Sequence, residues 1–156
     1  MEFVAKRFYE LTNDELWSIY RLRAEVFVVE QRCAYQDIDE ADKVSVHLMA
    51  VDDGQLIGYL RVIPPGVCSD DIHIGRVISV RRRCGIGRAL MAEGVRIAHE
   101  EFDAPSISIE AQLYAAHMYS TVGFRQTSGI FMLDGQKHVD MKLVFDELER
   151  DCGGVG

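Results

Sequence analysis

Near the start of the chain the apolar spacing changes within a few residues. Phe3, Val4 and Phe8 predict a first strand. Thr12 and Glu15 form a T-x-x-E capping box. Leu16, Ile19, Tyr20, Arg23 and Phe27 then recur at helical spacing. Arg23 and Glu30 extend this otherwise apolar stripe, so they either snorkel at its edge or border a polar cleft. Residues 33–45 (CAYQDIDEADKVS) break the pattern and read as an acidic, solvated loop. Strands follow at 46–51 and 56–63, joined by Asp53-Gly54, a strong hairpin signal. Pro64-Pro65-Gly66 ends the second. A strand at 72–80 precedes a helix at 86–102, with Ile86, Leu90, Gly94, Ile97 and Ala98 on one face. Ile107 and Ile109 alternate in a strand at 106–111, and a short helix at 113–121 stops at Gly123. Two last strands, 124–133 and 138–145, flank Asp134-Gly135. The order β-α-β-β-β-α-β-α-β-β mixes hairpins with crossover helices, which predicts an α/β fold with a mixed sheet under helices.

Length and composition narrow the classes. The 156 residues, 48% hydrophobic and 27% charged, suit one globular domain over 1–150, with 151–156 as a disordered tail. No apolar run approaches about 18 residues and no signal peptide is evident, so a cytoplasmic protein with no membrane partner is expected. The formal charge of −8 argues against nucleic acid as a partner. It also makes a local basic cluster informative. Cys33, Cys68, Cys84 and Cys152 form no C-x-x-C pair, so no metal site is expected.

That basic cluster lies in Ile72–Met91, IHIGRVISVRRRCGIGRALM. An apolar strand runs into Arg81, Arg82, Arg83, Gly85 and Gly87, and a helix begins. Free amides at a helix start, its positive dipole end and adjacent guanidinium groups together suit an anion. A Rossmann loop is disfavoured because Gly85-Ile86-Gly87-Arg88-Ala89-Leu90 lacks a third glycine, and a Walker loop because Gly-Lys-Ser/Thr is absent. Arg/Gln-x-x-Gly-x-Gly/Ala is met by Arg82-Arg83-Cys84-Gly85-Ile86-Gly87. A tight strand-to-helix turn with solvated arginines is the plain alternative.

This pattern resembles the pyrophosphate signature of the GCN5-related N-acetyltransferase (GNAT) superfamily. Gln112-Leu113-Tyr114-Ala115-Ala116-His117-Met118-Tyr119-Ser120-Thr121-Val122-Gly123-Phe124 is similar to that superfamily's N-x-x-A-x-x-x-Y-x-x-x-G-F element, with Gln112 in the Asn place. VFVVEQRCAYQDIDEAD (26–42), HLMAVDDGQLIGYLRV (47–62) and IGRV (74–77) resemble the ElaA-like subfamily. Two departures stand out. The loop after Arg76-Val77 is two residues short of the family pattern, and Glu110 replaces a small residue.

The resemblance implies a GNAT-like, mixed and mostly antiparallel sheet, with two splayed parallel central strands (72–80 and 106–111) and helices on both faces. It implies acetyl-coenzyme A as cosubstrate and a small-molecule or peptide amine as acceptor. Val77, Ile78, Ser79 and Val80 would line the pantetheine. Arg82, Arg83, Cys84, Gly85, Ile86, Gly87 and Arg88 would hold the pyrophosphate, with Gln112 also on the cofactor side. Tyr119 would protonate the departing sulfur, although a core tyrosine is the plainer alternative. Glu30, expected to be partly buried, or Glu110 would take the proton from the amine. His73 reads as a satisfied core or edge histidine, and His117 points away from Tyr119. If the acidic run at 37–42 borders the mouth, it would steer cationic amines inward. A homodimer through the final strands is one option. A non-catalytic acyl-coenzyme A sensor and another nucleotide-binding module remain open beside the enzyme.

Overall fold

The computed structural model describes residues 1–81 and 85–146. Arg82, Arg83, Cys84 and the tail at 151–156, all singled out above, lie outside the described residues. Among the described residues eight strands form one sheet: β1 (Glu2–Arg7), β2 (Val46–Asp52), β3 (Gln55–Ile63), β4 (Ile72–Ser79), β5 (Ser106–Gln112), β6 (Arg125–Gln126), β7 (Phe131–Leu133) and β8 (Gln136–Val144). Their order is β1-β2-β3-β4-β5-β8-β6, with β7 also paired to β8. All pairings are antiparallel except β4 with β5. The strand expected at 124–133 is two short strands, because residues 127–130 leave the ladder. Both Asp-Gly turns put their two residues at positive φ, as a tight hairpin with right-handed twist requires (Asp53 50°, Gly54 75°; Asp134 51°, Gly135 76°).

Period-two alternation sorts side chains onto two faces. Val46, Leu48 and Ala50 of β2, with Leu60 and Val62 of β3, face α2 (Ile86–Glu101) and pack with its Leu90 and Met91. Ile107, Ile109 and Ala111 of β5 join that core, as does Tyr119 of α3 (Ala116–Val122). The opposite residues, Met49 and Tyr59, meet Ile19 of α1 (Asn13–Arg23). Helices therefore cover both faces.

The capping box forms as the sequence predicts. Thr12 Oγ1 accepts the Glu15 amide at 3.1 Å, and Glu15 Oε1 accepts the Thr12 amide at 2.9 Å. After Arg23 the helix changes character: Ala24–Glu30 is π-helical. Bonds spanning five residues, such as Gln31 N–H to Val26 O at 3.3 Å, mark the change. Fewer degrees are turned per residue, so the helical stripe read from the sequence does not continue to Glu30.

The acidic stretch is a correction. It is not a solvated loop, since Asp37 and Asp42 are buried. Arg23, expected at an edge or in a cleft, is wholly buried and bonded to both. The buried carboxylates neutralise a buried guanidinium, which is the condition for either to leave water.

Candidate active site

β4 and β5 touch only at their beginnings. Their parallel ladder has two rungs, Ile72 with Ile107 and His73 with Ser108. Asp71 closes this end by accepting hydrogen bonds from the Ser106 and Ser108 hydroxyls. Beyond it β5 follows β8 along its full length, and β4 stays with β3. The strands diverge, as the family resemblance implies.

β4 also carries a bulge. Arg61 of β3 opposes Gly75 while Tyr59 opposes Ile78, so β4 holds one extra residue there, and Arg76 takes a left-handed φ of 54°. The extra residue reverses the strand's parity. Ile72 and Ile74 face the α2 core before it, and Val77 packs on the same core after it. Val80 donates its N–H to Ile57 O at 2.9 Å, toward β3. By alternation the N–H and C=O of Val77 and Ser79 point to the side that β5 has vacated. Of the four residues expected to offer backbone to a ligand, these two face the gap, while Ile78 and Val80 face β3.

The gap opens into a cavity of about 1210 Å³ whose wall includes β4, β5, the start of α2 and the π-helical segment. At one end α2 begins. Gly85, at a φ of 72°, precedes its first turn, and no side chain caps it. The first intrahelical bond is Ala89 N–H to Gly85 O at 3.1 Å, so the amides of Ile86, Gly87 and Arg88 have no acceptor within the helix. Arg88 lines the cavity and donates from Nε to Thr121 Oγ1 at 3.2 Å. Arg81 is paired with Asp52.

Tyr119 lies in the wall, buried, with its ring edge-on to Phe124 at 6.3 Å. It is thus both a core tyrosine and a cavity tyrosine. Burial, with a smaller contribution from Tyr114, pushes its phenol up to about 12. Glu110 lines the cavity too. Ile109 and Ala111 belong to the α2-side core, so Glu110 projects to the α1 side of the sheet. Glu30 is at the cavity wall but exposed, so the partial burial expected of it is not found. Gln112 lines the cavity beside these groups.

Sequence reasoning missed several wall residues. His73 sits where the two strands part and faces the cavity; burial, aided by Arg61 and Arg76, pushes it down to about 4. Tyr35 and Cys33 come from the acidic segment. His117 is exposed and off the wall. Among the described residues no cluster of His, Cys, Asp or Glu suits a metal ion, and no helix is long and apolar enough to cross a membrane.

The comparisons agree with this geometry. The family described as "Acetyltransferase (GNAT) domain" matches residues 11–145. A UPF0039 protein of Schizosaccharomyces pombe is 40% identical, over 92% of this chain and 97% of its own. The crystal structure of an acyl-CoA N-acyltransferase from Pseudomonas aeruginosa superposes with a TM-score of 0.85 at 34% identity, covering 92% of this chain and all of that one (100%). Escherichia coli ElaA superposes with a TM-score of 0.85 at 28% identity, covering 91% and 98%. A sheet parted between two parallel strands, a helix start at the opening whose first amides have no acceptor within the helix, and a family match over most of the length lead to one conclusion: the chain belongs to the GNAT family, in its ElaA-like subfamily, and is an N-acetyltransferase.

Proposed function

We propose that the chain transfers an acetyl group from acetyl-coenzyme A to a primary amine, on a small molecule or a peptide, by direct attack in a ternary complex. The observation that carries this reading is the cavity itself. It passes through the parted sheet, with helix amides that have no acceptor within the helix on the α2 side and Glu110 on the α1 side. The diphosphate of the thioester substrate meets the amides of Ile86, Gly87 and Arg88, where the helix dipole favours negative charge. Arg82, Arg83 and Cys84 would complete that loop. Val77 and Ser79 offer N–H and C=O groups to the pantetheine amides, with Gln112 on the facing wall.

The amine enters from the α1 side as an ammonium. Glu110 takes its proton, directly or through water, with Glu30 as the alternative. The free nitrogen then attacks the acetyl carbonyl carbon. A backbone N–H of the β4 bulge stabilises the tetrahedral oxyanion. As the carbon–sulfur bond breaks, the thiolate takes the phenolic proton of Tyr119, which burial keeps protonated at neutral pH. The carboxylate, having passed its first proton to solvent, takes the second amine proton as the intermediate collapses; the Tyr119 phenolate is reprotonated from solvent, and the amide and the coenzyme A thiol are released.

The test is thiol release from acetyl-coenzyme A across a panel of primary amines. Tyr119→Phe is expected to lower kcat by about 10²-fold or more, the usual size of general-acid effects, with coenzyme A affinity retained. Glu110→Gln and Glu30→Gln assign the base by which of them removes the acidic limb of the pH–rate profile. Tight coenzyme A binding with no turnover of any amine would instead identify an acyl-coenzyme A sensor.

A further inference from the structure

Three arginines from three elements converge on the acidic segment. Arg23 of α1 reaches Asp37 Oδ2 at 3.0 Å and Asp42 Oδ1 at 2.6 Å. Arg61 of β3 reaches Asp39 Oδ1 at 2.6 Å and Asp42 Oδ1 at 2.9 Å. Arg76 of β4 reaches Asp37 Oδ1 at 2.9 Å, donates to Asp37 O at 3.1 Å and lies 3.6 Å from Asp39 Oδ2. Three guanidinium charges face three carboxylates. The three aspartates of the acidic run are therefore neutralised from within, and its fourth acid, Glu40, is exposed and 3.6 Å from Lys43, so the steering of cationic amines expected from the run has only Glu40 to act through. Its aspartates fasten a segment that has little regular structure of its own.

Arg76 differs from the other two arginines. It alone of the three lines the cavity. It is also the left-handed residue of the β4 bulge. A side chain with a Cβ persists at such a φ only where its surroundings over-determine it, and the ion pair with the Asp37 carboxylate and the hydrogen bond to its carbonyl supply that constraint. Its guanidinium lies 5.5 Å from the Tyr35 ring, and the Tyr35 hydroxyl donates to Asp37 Oδ1 at 2.9 Å. Tyr35 and Cys33 line the same cavity.

We infer that Arg76 is a positioning residue for the transfer, one side chain that fixes both the β4 bulge beside the acyl group and the wall at residues 33–39 beside the amine. The inference rests on the acyl transfer proposed above. Reacting atoms must be held to within a fraction of an ångström, and a displacement of about 1 Å can cost about 10²-fold in rate. A guanidinium ion-paired to a carboxylate and hydrogen-bonded to a carbonyl of one segment, from the strand that carries the donor, provides that register.

Arg76→Met keeps most of the stem and removes the charge; Arg76→Lys keeps the charge and removes the fork. Each is compared with wild type by amide hydrogen exchange at residues 33–39, by coenzyme A affinity, and by kcat and KM for an amine substrate. With Arg76→Met, exchange at 33–39 is expected to quicken by about tenfold or more and kcat to fall by about 10- to 100-fold. Coenzyme A affinity should stay within about threefold, because the start of α2 is untouched. Arg76→Lys is expected to fold as wild type does yet leave kcat low. Wild-type exchange at 33–39 in Arg76→Met, or wild-type kcat and KM in Arg76→Lys, overturns the inference. If Arg76→Met does not fold, Arg76→Lys decides alone on both readouts. A wild-type protein that binds coenzyme A and acetylates no amine sinks the transfer reading, and the exchange comparison still reports separately on the fastening.

Discussion

The two faces of the sheet are held by different physics. Under α2 the core is apolar and continuous, from Val46, Leu48 and Leu60 through Leu90 and Met91 to Ile107 and Val139. Under α1 the apolar cluster has only Ile19, Met49 and Tyr59 at its centre. Beside it lie Arg23, Arg61, Asp42 and His47, all buried. His47 bridges the Tyr59 hydroxyl, 2.7 Å from Nδ1, and the Asp42 carbonyl, 2.8 Å from Nε2. A carbonyl only accepts, so Nε2 carries the proton and Nδ1 accepts from Tyr59 in the neutral ring. Apolar packing depends little on pH and fixes shape only loosely. The polar network is directional, and it ties a segment whose regular structure is one 3-10 turn, Glu40–Lys43, to α1, β3 and β4. The face built this way is the one from which the proposed amine would enter.

The sharpest test of this contrast sets one residue from each face side by side. Asp42→Ala leaves the buried Arg23 without its 2.6 Å partner and should cost about 3–5 kcal/mol. Leu90→Ala opens a cavity in the α2 face and should cost about 2–5 kcal/mol. At pH 7 urea denaturation will not tell them apart. Near pH 3 it will. Burial pushes the Asp42 carboxyl up, but its bonds to Arg23 outweigh this and hold it below its ordinary value. Its contribution is therefore complete above the unfolded value, near 3.8, and is lost as pH falls through the folded one. Acid should shrink the cost of Asp42→Ala and leave that of Leu90→Ala unchanged. Equal costs at both pH values would mean the two faces are not different in kind.

A smaller effect precedes that one on the acid side. Burial lowers the pKa of His47 from its ordinary 6.5. Below about pH 6.5 the unfolded chain binds a proton that folded His47 refuses, so stability falls with pH before any aspartate titrates. Burial lowers His73 in the same direction, to about 4. Because His47 contacts Asp42 directly, amide exchange around residues 42–47 should quicken before exchange in α2 does. If α2 opens first, the network is not the weaker face.

Local chemistry made much of this molecule legible in advance. Both Asp-Gly hairpins, the Thr12–Glu15 box and the helix starting at Ile86 depend on residues a few positions apart. The parting of β4 and β5 and the place of Tyr119 came from spaced motifs that a family resemblance tied together. Three features were out of reach for physical reasons. Arg23 meets partners 14 and 19 residues away, so nothing beside it in the sequence announces that it is buried. The π-helical run changes the angular period after Arg23, so a stripe drawn at 3.6 residues per turn misplaced Glu30. The β4 bulge depends on register against β3, and no residue type marks it: Arg76 takes a left-handed φ without being glycine.

The two ends of α1 offer the mildest probe of the same contrast. Its C-terminal end is anchored by Arg23 in the buried network, and its N-terminal end by exposed and half-buried polar groups at the surface. There Glu15 accepts from the Thr12 amide and, at 2.8 Å, from Lys6 Nζ of β1. Thr12→Ala should cost about 1 kcal/mol, the usual value of a side-chain cap at a solvent-facing helix start. Thr12 and Asp42 share no bonding partner, so the Thr12→Ala, Asp42→Ala double variant should equal the sum of the singles to within about 0.5 kcal/mol. A larger shortfall, measured by urea denaturation, would mean that α1 is released as one body once either end lets go. The ion network would then anchor the whole helix and not only the segment that walls the cavity.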